Sequence, residues 1–177
     1  MKKSIAFIVI CFFSVSLCAA EIFFEDASPE EFELLEQLAM DSSAFCGYCA
    51  VLEEGMKNPF CICKDHFDGT VRVMKNQSGI MGFYALHRNI DAEDGTWVNL
   101  LSHLFLKPEY IGHGYGRALF EEAMRAARDE LHWEALFWES FPKAVGFYKK
   151  MGAQQVGETP CSINPEYKSQ ILVYLLY

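Results

Sequence analysis

Leu104-Phe105-Leu106-Lys107-Pro108-Glu109-Tyr110-Ile111-Gly112-His113-Gly114-Tyr115-Gly116-Arg117-Ala118-Leu119 sets three alternate glycines between a strand-like run and an amphipathic helix. Glycine has two uses there. Without a Cβ the chain takes left-handed dihedrals and fans its N–H groups toward one point, and an anion approaches the backbone closely. The helix that begins beside them adds the positive end of its dipole, so a pyrophosphate would be held by backbone donors, with Arg117 assisting. Glycine-rich turns also occur where a strand simply meets a helix, so the run gains meaning from its surroundings.

Those surroundings exclude two phosphate-binding designs. A dinucleotide fingerprint belongs in an opening strand–helix–strand unit with an acidic residue about 20 positions onward. Here the run follows several hairpin strands, and no such acid ends a second parallel strand. A nucleoside-triphosphatase loop needs Gly-Lys-Ser/Thr, which is missing. A different phosphate ligand is indicated.

Upstream, Ile22-Phe23-Phe24 reads as a short strand. Ser28-Pro29-Glu30-Glu31 supplies an N-cap, a first-turn proline and an acidic first turn, and Phe32, Leu35, Leu38 and Ala39 follow at helical spacing. A second, less regular helix is expected over 42–56, broken near Gly47 and ended by Asn58-Pro59. Residues 70–75, 79–87 and 96–106 are β-branched or aromatic-rich and are separated by turn-forming stretches, which predicts three antiparallel strands.

Downstream of the glycines, a helix runs to about Glu130 with Leu119, Phe120, Ala123, Met124 and Ala127 on its apolar side. A strand over 133–139, a helix over 142–151 stopping at Gly152, and a last strand over 170–177 complete the order. The sequence β, α, α, β, β, β, α, β, α, β is a mixed α/β chain of the α+β kind, with a strand–helix–strand crossover in its later half.

The chain has 177 residues, of which 51% are hydrophobic and 22% charged, so it buries a core and disorder is excluded as its main state. The length suits one domain, and no internal repeat is visible. A formal net charge of −9 excludes a wide basic surface, so nucleic acid is not an expected partner. The acidity suits either solubility or attraction of a small cationic substrate such as an amine.

Lys2 and Lys3, an apolar run from Ile5 to Leu17, and Cys18-Ala19-Ala20 have the three-part layout of a secretory signal. Cleavage is expected after Ala20, leaving residues 21–177 as the domain in a periplasmic or secreted location. The run is short for a membrane span, and no membrane association is expected once it is removed. Leu17 fits a lipoprotein box poorly. The alternative is a buried terminal segment of a cytoplasmic protein.

Removing Cys11 and Cys18 with the leader leaves Cys46, Cys49, Cys61, Cys63 and Cys161. Cys46-Gly47-Tyr48-Cys49 followed by Cys61-Ile62-Cys63 superficially suggests a zinc site or a redox pair. The second half has one residue between its cysteines, no knuckle turn surrounds either half, and no strand-led redox unit contains the first. Structural or incidental thiols are favoured over a disulfide or a metal, and no metal is expected.

Four segments carry a family likeness. They are Leu38 to Tyr48, Ser102 to Glu109, Ile111 to Ala118, and Ala144 to Ala153 followed by Val156 to Ile163. Through them the chain resembles the GNAT superfamily, N-acetyltransferases that draw an acetyl group from acetyl-coenzyme A, in a bacterial branch. The resemblance implies a mixed, mostly antiparallel central sheet flanked by helices and splayed in the middle to hold the coenzyme. It implies that the backbone of Leu104, Phe105 and Leu106 pairs with the pantetheine arm. By the same likeness Ile111, Gly112, His113, Gly114, Tyr115, Gly116 and Arg117 surround the diphosphate, and Ala144 and Phe147 of the last helix complete the coenzyme site.

The family turn reads Gln/Arg-x-x-Gly-x-Gly/Ala, and Ile111, Gly114 and Gly116 occupy its three key places. Ile111 departs from the pattern because it has no side-chain donor. The family's main grip comes from backbone amides, so the expected affinity falls and the site is retained.

Direct acetyl transfer needs a neutral amine, a donor for the developing oxyanion and an acid for the departing thiolate, with no covalent enzyme intermediate. By resemblance Tyr148 is the general acid; by spacing alone it is equally an aromatic of a core-facing helix. His103 is the best residue type for a base, although a lone strand histidine is often merely hydrogen-bonded. Many relatives carry a carboxylate where Ser102 stands, so water, Glu139 or the solvent are alternative routes for the proton. The first two helices and residues 53–67 would set acceptor choice, with Tyr48, Phe45 and Tyr84 lining a pocket or belonging to the core.

The expected partner is a small-molecule or peptide amine, with a homodimer left open. Acetyl-coenzyme A is cytosolic whereas a cleaved leader exports the chain. Three resolutions stand: export into another cell's cytosol, a misjudged start or leader, or a fold that has lost catalysis. The last gives a second reading as a secreted, non-catalytic ligand-binding module on a GNAT scaffold, favoured by Ile111 and Ser102. Tyr148 and the three glycines favour the enzyme. A disulfide-stabilised secreted protein of unrelated function is the third reading.

Overall fold

The computed structural model describes residues 21–48, 69–90, 95–161 and 164–177. Among them seven strands form one sheet in the order β1-β2-β3-β4-β5-β7-β6. The strands are β1 (Phe23–Asp26), β2 (Gly69–Asn76), β3 (Gly79–Ile90), β4 (Trp97–Leu106), β5 (Ala135–Ser140), β6 (Gln154–Pro160) and β7 (Lys168–Leu175). Three helices pack on it: α1 (Phe32–Phe45), α2 (Tyr115–Arg125) and α3 (Pro142–Lys150). Every neighbouring strand pair is antiparallel except β4 and β5, which the α2 crossover makes parallel. This is the mixed, mostly antiparallel α+β architecture expected from the sequence. No helix among the described residues is long and apolar enough to cross a membrane.

The strand period of two divides the core between the two faces. Val71, Val73, Phe83 and Ala85 meet Leu35, Leu38 and Ala39 of α1 on one side. Tyr84, Leu86, Leu101 and Leu106 meet Leu119, Phe120, Ala123 and Met124 of α2 on the other. The helical spacing of these residues was legible, and Leu35, Ala39, Leu119 and Ala123 are fully buried. Ser28-Pro29-Glu30-Glu31 starts a 3-10 turn over Pro29–Glu31 before α1, and the Ser28 N–H donates to Glu31 Oε2 at 2.9 Å.

Three expectations change. Residues 42–45 are the last turn of α1, which ends at a turn around Gly47, so no second helix starts at Ser42. The remainder of that expected helix, and the 53–67 segment, lie outside the described residues. Strand β6 was absent from the expected order because it is an edge strand, mostly exposed, polar in composition and ended by a proline, so it has no apolar alternation to read. The helix to Glu130 is α2 followed by a wider π turn over Ala126–Glu130, which turns Glu130 toward β2. Residues 1–20 are outside the described chain.

Candidate active site

In β4 the pairing with β3 passes from Leu86↔Leu101 to Ala85↔His103, so Ser102 is an inserted residue. This bulge resets the alternation: Leu101 and Leu104 both pack toward α2, while His103 and Phe105 turn to the α1 side against Phe83. A bulge also bends its strand and adds twist. Beyond it β4 leaves β5, whose only paired position with β4 is Leu100↔Phe137. The two strands open into a V at their carboxyl ends, where ligands of α/β sheets collect.

A cleft of about 430 Å³ fills that opening. Its β4 wall is Leu100 to Phe105, and its opposite wall is Trp138, Glu139, Ser140 and Phe141. Ala144 and Tyr148, one turn apart on α3, line a third side, and Ser42, Ser43, Cys46 and Tyr48 at the end of α1 line a fourth. Cys161 and Ser169 complete it. Two buried polar atoms of this lining, Ser43 Oγ and Trp138 Nε1, have no hydrogen-bond partner among the described residues.

Tyr148 is buried, with its ring 5.0 Å from that of Trp138 and 5.9 Å from that of Phe120. Burial, with a smaller contribution from the Tyr48 phenol, pushes its pKa well above the ordinary tyrosine value, so the group keeps its proton at neutral pH. On the facing wall the Ser102 hydroxyl donates to the Ala85 carbonyl at 3.2 Å. The same Ser102 oxygen lies 3.0 Å from His103 Nδ1. With the Ser102 proton directed at Ala85, a neutral imidazole protonated on Nδ1 would carry its lone pair on Nε2.

The glycine turn follows the carboxyl end of β4, the strand that forms one wall of this cleft. Gly112 and Gly114 have φ of +86° and +90°, and Gly114 is the N-cap of α2. A Cβ built on either would meet no atom within 4 Å, so the space over the turn is open. The first-turn N–H groups of α2 are capped by no side chain. Gly116 lies under Phe147, whose ring atoms would stand 3.5 and 3.6 Å from a Cβ there. These features fit a diphosphate: left-handed glycines, a helix start and room above them.

The structure gathers His103, Leu104, Phe105, Ala144 and Tyr148 on the cleft. Leu106 is not on it; the restored alternation buries its side chain in the α2 core. Ile111, the departure from the family turn, packs partly buried against the same core. Tyr115 sets its ring edge-on to Tyr110, His113 is exposed, and Arg117 lies 3.5 Å from Glu121. Of the proposed acceptor-pocket aromatics only Tyr48 lines the cleft. Phe45 is exposed elsewhere, and Tyr84 is wholly buried on the α2 side, where burial raises its pKa.

Trp138, Ser140 and Cys161 were not singled out as site residues. The available signal was the end of a strand parallel to β4 running straight into Pro142, the start of a helix. Cys46 and Cys161 are free thiols, and burial raises the pKa of Cys46. Cys49, Cys61 and Cys63 lie outside the described residues. No group of three or more metal-binding side chains occurs among the described residues.

Residues 67–152 match the family model of the acetyltransferase (GNAT) domain. No curated protein matches the chain in sequence. Among solved structures, a GNAT-family acetyltransferase from Staphylococcus aureus is similar with a TM-score of 0.66 and 14% identity, over 89% of this chain and 100% of its own. An N-acetyltransferase from the same organism gives 0.62 and 17%, over 89% and 99%. The PaiA N-acetyltransferase of Thermoplasma acidophilum, solved in complex with coenzyme A, gives 0.61 and 18%, over 88% and 99%. At these identities the likeness concerns the fold.

Proposed function

We propose that the chain is an N-acetyltransferase, on the match of residues 67–152 to the GNAT acetyltransferase domain model and the fold it shares with GNAT-family structures. It moves an acetyl group from acetyl-coenzyme A to a primary amine by direct transfer. The observation that carries the reading is the V between β4 and β5, with a buried, protonated phenol on one wall and an imidazole on the other.

The backbone of residues 112–117 would hold the diphosphate, and Leu104 and Phe105 would flank the pantetheine arm. Arg117, shared with Glu121, contributes charge and not a dedicated grip. When bound, the coenzyme supplies an activated acetyl thioester. His103 Nε2 takes a proton from the amine, directly or through water, and the Tyr148 hydroxyl gives one to the departing sulfur. The lack of a glutamine or arginine donor at Ile111 lowers affinity and leaves the backbone contacts in place.

The test is release of free thiol from acetyl-coenzyme A by the purified chain, with a diamine, an aminoglycoside and a lysine-containing peptide as acceptors. Amine-dependent thiol release above the no-amine rate is expected with at least one. No release with any of them, at coenzyme concentrations that saturate the protein, would overturn the reading.

A further inference from the structure

The N-terminal turn of α3 lacks a cap of its own. Phe141 at the N-cap has no side-chain oxygen, and Pro142 follows it. Two first-turn donors remain. The Ala144 N–H donates to the Phe141 carbonyl at 3.0 Å, and the Lys143 N–H donates to the Tyr48 phenol oxygen at 2.9 Å. A residue from the end of α1, far away in sequence, thus supplies the acceptor that a Ser or Asp would ordinarily give.

Three further contacts lock this arrangement. The Tyr48 and Phe141 rings stack with centroids 4.2 Å apart and an interplanar angle of 25°. The Lys143 ammonium donates to the Cys46 carbonyl at 3.0 Å and lies 5.4 Å from the centre of the Tyr48 ring. Gly47 sits between them with φ +80°, and a Cβ there would stand 2.6 Å from Lys143 Nζ. The positive φ favours glycine there, and a Cβ would push the Lys143 ammonium off its present place. The C-terminal half of α3 is held differently, by Phe147 and Tyr148 against Phe120 in the core.

Resting on the N-acetyltransferase reading, we infer that Tyr48 is a positioning residue: its phenol caps α3 and so fixes where Tyr148, one turn beyond Ala144 on the cleft face, stands. The contact ties the two helices that border the cleft. Without it the first turn of a nine-residue helix loses its side-chain acceptor, and the approach of that turn to the cleft rests on the ring stack and the Lys143 contact alone.

The test is Tyr48→Phe in the full chain, which removes one oxygen and keeps the ring stack. Amide hydrogen exchange over residues 142–150 is compared with wild type, and steady-state kinetics are run with acetyl-coenzyme A and the panel amine that wild type uses fastest. Exchange of the Lys143 amide should accelerate at least tenfold. kcat should fall about tenfold while KM for acetyl-coenzyme A and for the amine stay within twofold, because the Tyr48 ring that lines the cleft is kept and the oxygen removed is the one bound to the Lys143 N–H. Gly47→Ala should reproduce the same split. Unchanged exchange overturns the inference. So does a raised amine KM at unchanged kcat, which would make Tyr48 a wall of the acceptor pocket. If wild type uses no amine, the transferase reading fails, and the exchange comparison alone decides whether Tyr48 holds α3.

Discussion

Tyr148 is buried against Trp138 and Phe120, so replacing it by phenylalanine removes a hydroxyl with little change in packing. For Tyr148→Phe we expect kcat to fall by about 100-fold, within the usual span for losing an acid–base group. The calorimetric affinity for acetyl-coenzyme A should stay within a few-fold. Equal turnover would remove the acid assignment. At Gly114 the cost is conformational, since φ is +90° and a Cβ meets nothing. Gly114→Ala should lower stability by about 1–2 kcal/mol in urea denaturation and weaken coenzyme binding in the same titration. At this scale the sequence identified which residue types matter and missed some orientations. The expectation for Leu104, Phe105 and Leu106 concerned their backbone; the Ser102 insertion that shifts the side-chain alternation there was not legible, because no sequence period announces an insertion.

Strand and helix placement was legible wherever burial is one-sided. The apolar stripes of α1 and α2 and the hairpin turn before β3 follow from period and turn chemistry. β6 was illegible because an edge strand answers to backbone pairing with β7 more than to its side chains. Elements are also tied by charge. Arg72 of β2 bonds Asp26 of β1, Glu122 of α2 and Glu130 of the π turn, and Arg125 shares both glutamates. Hydrogen bonds first from Arg72 and then from Arg125 pull the Glu130 pKa down from 4.5 to about 2. A depressed folded-state pKa gives stability that is present above the unfolded value and is lost as pH falls through the folded one. Arg72→Met should therefore cost about 2 kcal/mol at pH 7, given the half-buried setting of the arginine. The gap from wild type should narrow as pH drops from 4.5 toward 2, read by urea denaturation across that range. A gap that stays constant would place the loss in packing alone.

Over the whole molecule, one inserted residue in β4 accompanies its separation from its parallel neighbour, and the chain runs from the end of β4 through the glycine turn to the start of α2. The glycine run was readable as a turn between a strand and a helix because strand–turn–helix order is local. The cleft was not, because its walls come from α1, β4, β5, α3 and the β6–β7 end and meet only in the fold. The first described strand begins at Phe23, so loss of residues 1–20 as a leader would leave every described element in place. A crystal structure of the chain with acetyl-coenzyme A measures most directly whether this cleft and turn form one coenzyme site. The diphosphate should lie within hydrogen-bond distance of the N–H groups of residues 112–117, with the thioester between β4 and Tyr148. A coenzyme bound elsewhere, or those N–H groups directed away from its phosphates, would contradict the proposal.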